Sequence, residues 1–86
     1  MWVITKNFIN GDTYSVQVAS SDYKEGKHLP YKFRIYDDDG ELYFAGRSDD
    51  NSSEDAFLPL DDYAMPAYGA TEIHYKDEIG HGFSLL

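Results

Sequence analysis

Strict two-residue alternation, broken by turn chemistry, constrains this chain more than any other feature. From Tyr31 to Tyr36 the residues alternate: Tyr31, Phe33 and Ile35 point one way, and Lys32, Arg34 and Tyr36 point the other. That period is the signature of a strand with one buried face. Asp37-Asp38-Asp39-Gly40 follows and predicts a type I turn with Gly40 in the left-handed position, with residues 41–46 returning as a strand. Residues 14–20 alternate in the same way, with Tyr14, Val16 and Val18 opposite Ser15, Gln17 and Ala19. Asn10-Gly11-Asp12 is a turn signal that joins them to an apolar, β-branched strand over residues 2–9. Residues 70–76 place Ile73 and Tyr75 opposite Glu72 and His74; residues 77–80 then turn the chain into a last strand over 82–86.

The stretches between are read from their breakers. Residues 21–29 are polar and contain Gly26, which predicts a loop, and residues 47–53 predict another. Ser53 followed by Glu54 and Asp55 reads as a helix start, and Pro59 suits a first helical turn. Helical turns are expected within residues 54–65, ended by Pro66 and Gly69, with Phe57, Leu60, Tyr63 and Ala64 toward the sheet and Asp55, Asp61 and Asp62 toward water. The expected fold is α+β: a small antiparallel sheet of five or six strands built from hairpins, with one short helical insertion.

Eighty-six residues are expected to form a single domain, residues 1–86, with a modest core in which aromatics carry much of the burial. The chain has no cysteine, so neither a disulfide framework nor a thiolate metal site is expected. With no basic leader and no long apolar run, the expectation is a cytoplasmic protein without a membrane partner. Trp2 is expected to anchor the core or its edge.

Charge is the second strong feature. Ten of the sixteen acidic residues fall within residues 37–62, where Arg47 is the single base, so this window accounts for the whole formal charge of −9. Such asymmetry bears on partners rather than on fold. A net negative charge sets the expectation against direct contact with nucleic acid or anionic membranes. It points instead to a basic nucleic-acid-binding protein or complex, whose Lys/Arg groove is matched to closely spaced phosphates. Asp37, Asp38, Asp39, Glu41, Asp49, Asp50, Glu54 and Asp55 are the candidate charge-bearing contacts. Tyr36 and Tyr43 are the candidate contact area, since tyrosine offers rigid surface with a polar tip.

Other chemistry is poorly supported. Asp37, Asp39 and Glu41 beside Gly40 echo a calcium loop, but the frame would put Ile35 first and Gly46 twelfth, where acids are required. His74 and His81, with Glu72, offer too few nitrogen or sulfur ligands for zinc. The serines lie in loops without an assigned histidine, and there is no glycine-rich phosphate loop. No enzyme activity, no metal and no cofactor is expected.

The segments Asp37–Asp50 and Pro59–Tyr75, within a span that covers a little under half of the chain, resemble small acidic proteins of bacterial plasmids, phages and integrated elements. That resemblance implies a mobile-element context and brings no activity with it. In size and charge the chain is also similar to anti-CRISPR and anti-restriction proteins, a likeness of composition alone. The expected function is therefore that of a non-enzymatic acidic binding protein that inhibits a nucleic-acid-binding host protein by mimicking nucleic acid. The alternative is a small interaction or homodimerisation module that pairs through sheet edges such as residues 2–6 or 82–86, its acidity serving solubility.

Overall fold

A computed structural model describes residues 1–9, 14–77, 80 and 82–86, with residues 14–17 described by backbone alone. The expected Asn10-Gly11-Asp12 turn, His81 and residues 78 and 79 of the turn at 77–80 lie outside these residues. Among the described residues, six antiparallel strands form one sheet in the order β2-β1-β4-β3-β5-β6. They are β1 (Trp2–Asn7), β2 (Tyr14–Ala19), β3 (Tyr31–Tyr36), β4 (Leu42–Ser48), β5 (Glu72–Lys76) and β6 (Phe83–Leu85). A bent helical segment, Glu54–Tyr68, crosses one face.

The alternation in β3 sorts as expected: Phe33 and Ile35 are buried, and Lys32 and Arg34 are exposed. Cross-strand register extends that sorting across the sheet. Phe33 lies between Gly46 and Tyr75, and Ile35 between Phe44 and Ile73. Trp2 and Ile4 join them from β1, and Leu60 and Ala64 close the core from the helical segment. Full burial of a side chain such as Phe33 or Phe44 contributes about 1.5–3 kcal/mol.

Phe33 fits only because β4 carries a glycine opposite it. A Cβ on Gly46 would collide with the Val3 carbonyl oxygen and lie 2.7 Å from the Phe33 ring. Gly40 serves a different need: its φ of 80° gives the turn after β3 the left-handed residue that sequence predicted.

Two register shifts reorganise the faces. Between Ile4 and Lys6 the pairing of β1 with β4 slips from Gly46 to Ala45, a bulge that leaves Thr5 as the extra residue. Lys6 thereby joins the open face, and Asn7 turns inward and is buried. A second shift between Ile35 and Tyr36 places Tyr43 as the extra residue in β4.

Three expectations are corrected. Pro66 does not end the helix; the chain stays helical to Tyr68 and stops at Gly69, which has φ 73°. The preceding turn is wide, with the Met65 N–H donating to the Leu60 carbonyl, and Pro66 sits in the first turn of the helical piece that follows, where a missing N–H is tolerated. Phe57 does not face the sheet but is 37% exposed. The inward positions are Ala56, Leu60 and Ala64, four residues apart, and Phe57 lies one position off that row. The 2–6 segment is not an edge, because β1 lies between β2 and β4. Among the described residues, no helix is long and apolar enough to cross a membrane.

Candidate protein-binding surface

The acidic window divides into groups that run in order from one end of β4, over the helical segment, to the other end of β4. Asp38 and Asp39 are exposed at the turn between β3 and β4, with Glu41 exposed beside them. Asp49 and Asp50 follow the other end of β4, a seven-residue strand that separates the two groups by about 20 Å. The helical segment starts beside Asp50 and delivers the chain to Thr71, whose N–H donates to the Tyr36 carbonyl at the far end of β3. Glu54, Asp55, Asp61 and Asp62, all exposed, lie along that crossing.

Several of the predicted contacts have structural work of their own. Asp37 is 7% exposed, and its Oδ1 accepts the backbone N–H of Asp39 at 3.0 Å and of Glu41 at 2.8 Å. It holds the turn that displays its neighbours. Asp50 Oδ1 accepts the N–H groups of Ser52 and Ser53, at 2.9 and 3.0 Å, and the Ser53 hydroxyl donates to its other oxygen. These bonds, that of the Ser53 hydroxyl foremost, hold its carboxyl below the usual carboxylate range. Ser53 in turn caps the first helical turn through the N–H of Asp55. Asp49 lies 3.1 Å from the N-terminal ammonium group of Met1, so part of its charge is answered internally.

The two tyrosines separate. Tyr36 stands on the open face with its ring against His74, 4.5 Å between centroids, away from the helical segment. Tyr43 is half-buried beside Phe44. Partial burial, then the charge of Asp37, pushes its hydroxyl above the usual tyrosine range. Asp37, Asp38 and Asp39 bring carboxylate oxygens within 4.8 Å of one another, a spacing that exposed acids often adopt without an ion. Asp37 is already committed to two N–H donors.

Sequence reasoning missed the apolar content of this layer. Phe57, Met65 and Tyr68, at 37%, 44% and 43% exposure, stand beside Asp61 and Asp62 on the helical segment. The missed signal is one of phase: the wide turn at Pro59–Ala64 shifts Phe57 and Met65 off the inward row. Tyr68 packs its ring on Phe44 and Tyr63, 5.2 and 5.7 Å between centroids, which fixes its orientation at low entropic cost. A groove of about 520 Å³ runs between the helical segment and the β1–β2 side of the sheet. Asp22, Asp55 and Asp62 line it above Trp2, Leu58 and Tyr63. A carboxylate rim over an apolar floor suits a lysine or arginine side chain, whose stem is apolar and whose tip is charged. Among the described residues, the carboxylate ion pairs are those of the Met1 ammonium group with Asp22 and Asp49 and of Glu72 with His74, so no lysine or arginine answers the acids of this layer.

Comparison with protein-family models, curated proteins and solved structures returns no match to this chain.

Proposed function

We propose that this protein is a non-enzymatic binding protein that presents its helical side to a basic surface of a nucleic-acid-binding protein and so blocks it. The observation that carries this reading is the mixture on one layer of exposed carboxylates, Glu54, Asp55, Asp61 and Asp62, with exposed Phe57, Met65 and Tyr68. Carboxylates without an internal lysine or arginine partner steer a cationic surface toward the protein. Aromatic and methionine side chains then supply the desolvated contacts from which most binding energy comes. The fuller form of the proposal is an inhibitor of the anti-CRISPR or anti-restriction type, carried by a mobile element, whose carboxylates stand in for phosphates.

The test is capture at low salt from bacterial lysate, with Asp61→Asn/Asp62→Asn as the paired control. Recovery of a nucleic-acid-binding protein that competing DNA displaces, and that the control fails to capture, supports the reading. A partner retained equally by the control, or untouched by DNA, overturns it.

A second reading has one observation in its favour. Leu85 is 61% exposed on β6, an edge strand, which is the geometry of a module that pairs through its sheet. Light scattering distinguishes it: a dimer that persists in high salt belongs to this reading and not to the first.

A further inference from the structure

The face of the sheet turned away from the helical segment, which also carries Glu72, is predominantly of the opposite sign. Five of the seven lysines and arginines, Lys6, Lys32, Arg34, Arg47 and Lys76, lie on it. Arg47 stands directly opposite Lys32 across β4 and β3. Lys6 and Arg34 flank Ala45 from either side, the first delivered there by the β1 bulge. Like charges directly opposite on one face repel, and the isolated fold bears that cost. Despite the abundance of acids, none of these five pairs with a carboxylate among the described residues. Arg47 donates to the Leu29 carbonyl at 3.3 Å, and the Arg34 guanidinium lies 4.2 Å over the Phe83 ring.

Between these cations runs an open groove of about 300 Å³, floored by Ala45 and Gly46, with Phe83 lining it. Phe83 is half-buried on β6, and Tyr36 stands half-buried farther along the same face. We infer that this face binds a single-stranded nucleic acid, phosphates on Lys6, Lys32 and Arg47 and a base stacked on the Arg34 guanidinium that lies over Phe83. Cations without a carboxylate partner beside a half-exposed aromatic on a sheet face satisfy both parts of a nucleotide strand, its charge and its π face. An acidic peptide would use the cations and leave the stacked Arg34–Phe83 pair without a planar partner. A second copy of this chain brings another net charge of −9. A duplex keeps its bases stacked on one another and has no base face free to stack here.

The expectation against nucleic acid, drawn from the sum of charges, does not carry over to one face. The smallest extent of the molecule is 22 Å, whereas charges in physiological salt are screened over about 8 Å. A strand on the open face is therefore largely shielded from the carboxylates on the covered side. This surface is separate from the helical layer, and its test is independent of the function proposed for that layer.

Fluorescence anisotropy with a labelled oligothymidylate and a mixed-sequence single-stranded RNA tests the inference. Saturable binding at low salt is expected, with a slope of log affinity on log salt of about −2 to −3, as for three or four phosphates of a single strand. Lys32→Glu should lower affinity at least tenfold while keeping its thermal melt, since it turns the Lys32–Arg47 repulsion into a pair. Phe83→Leu should lower affinity by about five- to a hundredfold if a base stacks there. Asp61→Asn/Asp62→Asn should leave strand affinity within about twofold, because those residues lie on the other side. No binding at low salt overturns the inference. So does equal binding of duplex, or binding of polyglutamate in place of the strand, or loss of the signal into self-association by sedimentation.

Discussion

The Tyr75 hydroxyl donates a 2.8 Å hydrogen bond to the backbone carbonyl of Ala56, which ties β5 to the first turn of the helical segment. Tyr75 is 5% exposed and stacks at a tilt on Phe33, so its ring and its hydroxyl act on different layers. Tyr75→Phe keeps the ring and leaves the buried carbonyl of Ala56 without its donor. We expect a loss of about 1–2 kcal/mol, read from urea unfolding.

The same residue should shape the alkaline limb of stability. Burial pushes the Tyr75 hydroxyl up to about 12. Its folded value lies above its unfolded one, so the folded state holds the proton more tightly. Stability is then complete below pH about 10 and falls as pH rises from about 10 to 12. Tyr75→Phe should flatten that part of the profile in denaturation measured across this range.

Asp37 and Asp38 are neighbours in one acidic run with different duties. Asp37→Ala removes the acceptor of two turn N–H groups and should cost about 1–2 kcal/mol. Asp38→Asn, on an exposed side chain, should change stability by less than about 0.5 kcal/mol. Thermal unfolding of both variants checks the contrast. Association studies of charge at this turn should therefore alter Asp38 and Asp39 and leave Asp37 in place.

Gly46→Ala should be among the most damaging single changes. The added methyl meets the Val3 carbonyl oxygen and the Phe33 ring at once, and neither can retreat without parting β1 from β4 or displacing the core. A loss of about 3 kcal/mol or more is expected, read as a large fall in melting temperature. A melt within a few degrees of the parent would show that β4 and Phe33 do not pack as described.

Asp50 links the end of β4 to the start of the helical segment. Its folded value lies below the ordinary 3.8, so its contribution is present above pH about 4 and lost as pH falls through the folded value. Asp50→Ala should cost about 1 kcal/mol at neutral pH, in line with loss of a capping acceptor. The difference between variant and parent should shrink in unfolding measured below pH 4.

The legible parts of this protein were those set by neighbours in the chain. The alternation of Tyr31 to Tyr36 sorted β3 correctly because side chains on a strand must alternate. The left-handed Gly40 and the cap at Ser53 were legible for the same reason, each being decided within a few residues. Phe57 was misplaced because its direction depends on how wide the following turns are, which packing of Leu60 and Ala64 on the sheet decides. The acidic residues could be named in advance, but not their separate duties, since Asp37 and Asp50 are distinguished by N–H groups that only the folded turns bring to them.

What the sequence by itself determined is local: strand periods, turn positions, a helical insertion and an excess of acid within residues 37–62. What only the tertiary structure decided is which strands lie side by side and which charges share a face. Pairing of β1 with β4 joins residues about forty positions apart, and the bulge at Thr5 then turns Lys6 outward, beside Ala45 and across it from Arg34. Neither follows from local propensity, because register between distant strands is set by burying Trp2, Ile4, Phe33 and Phe44 together in one core.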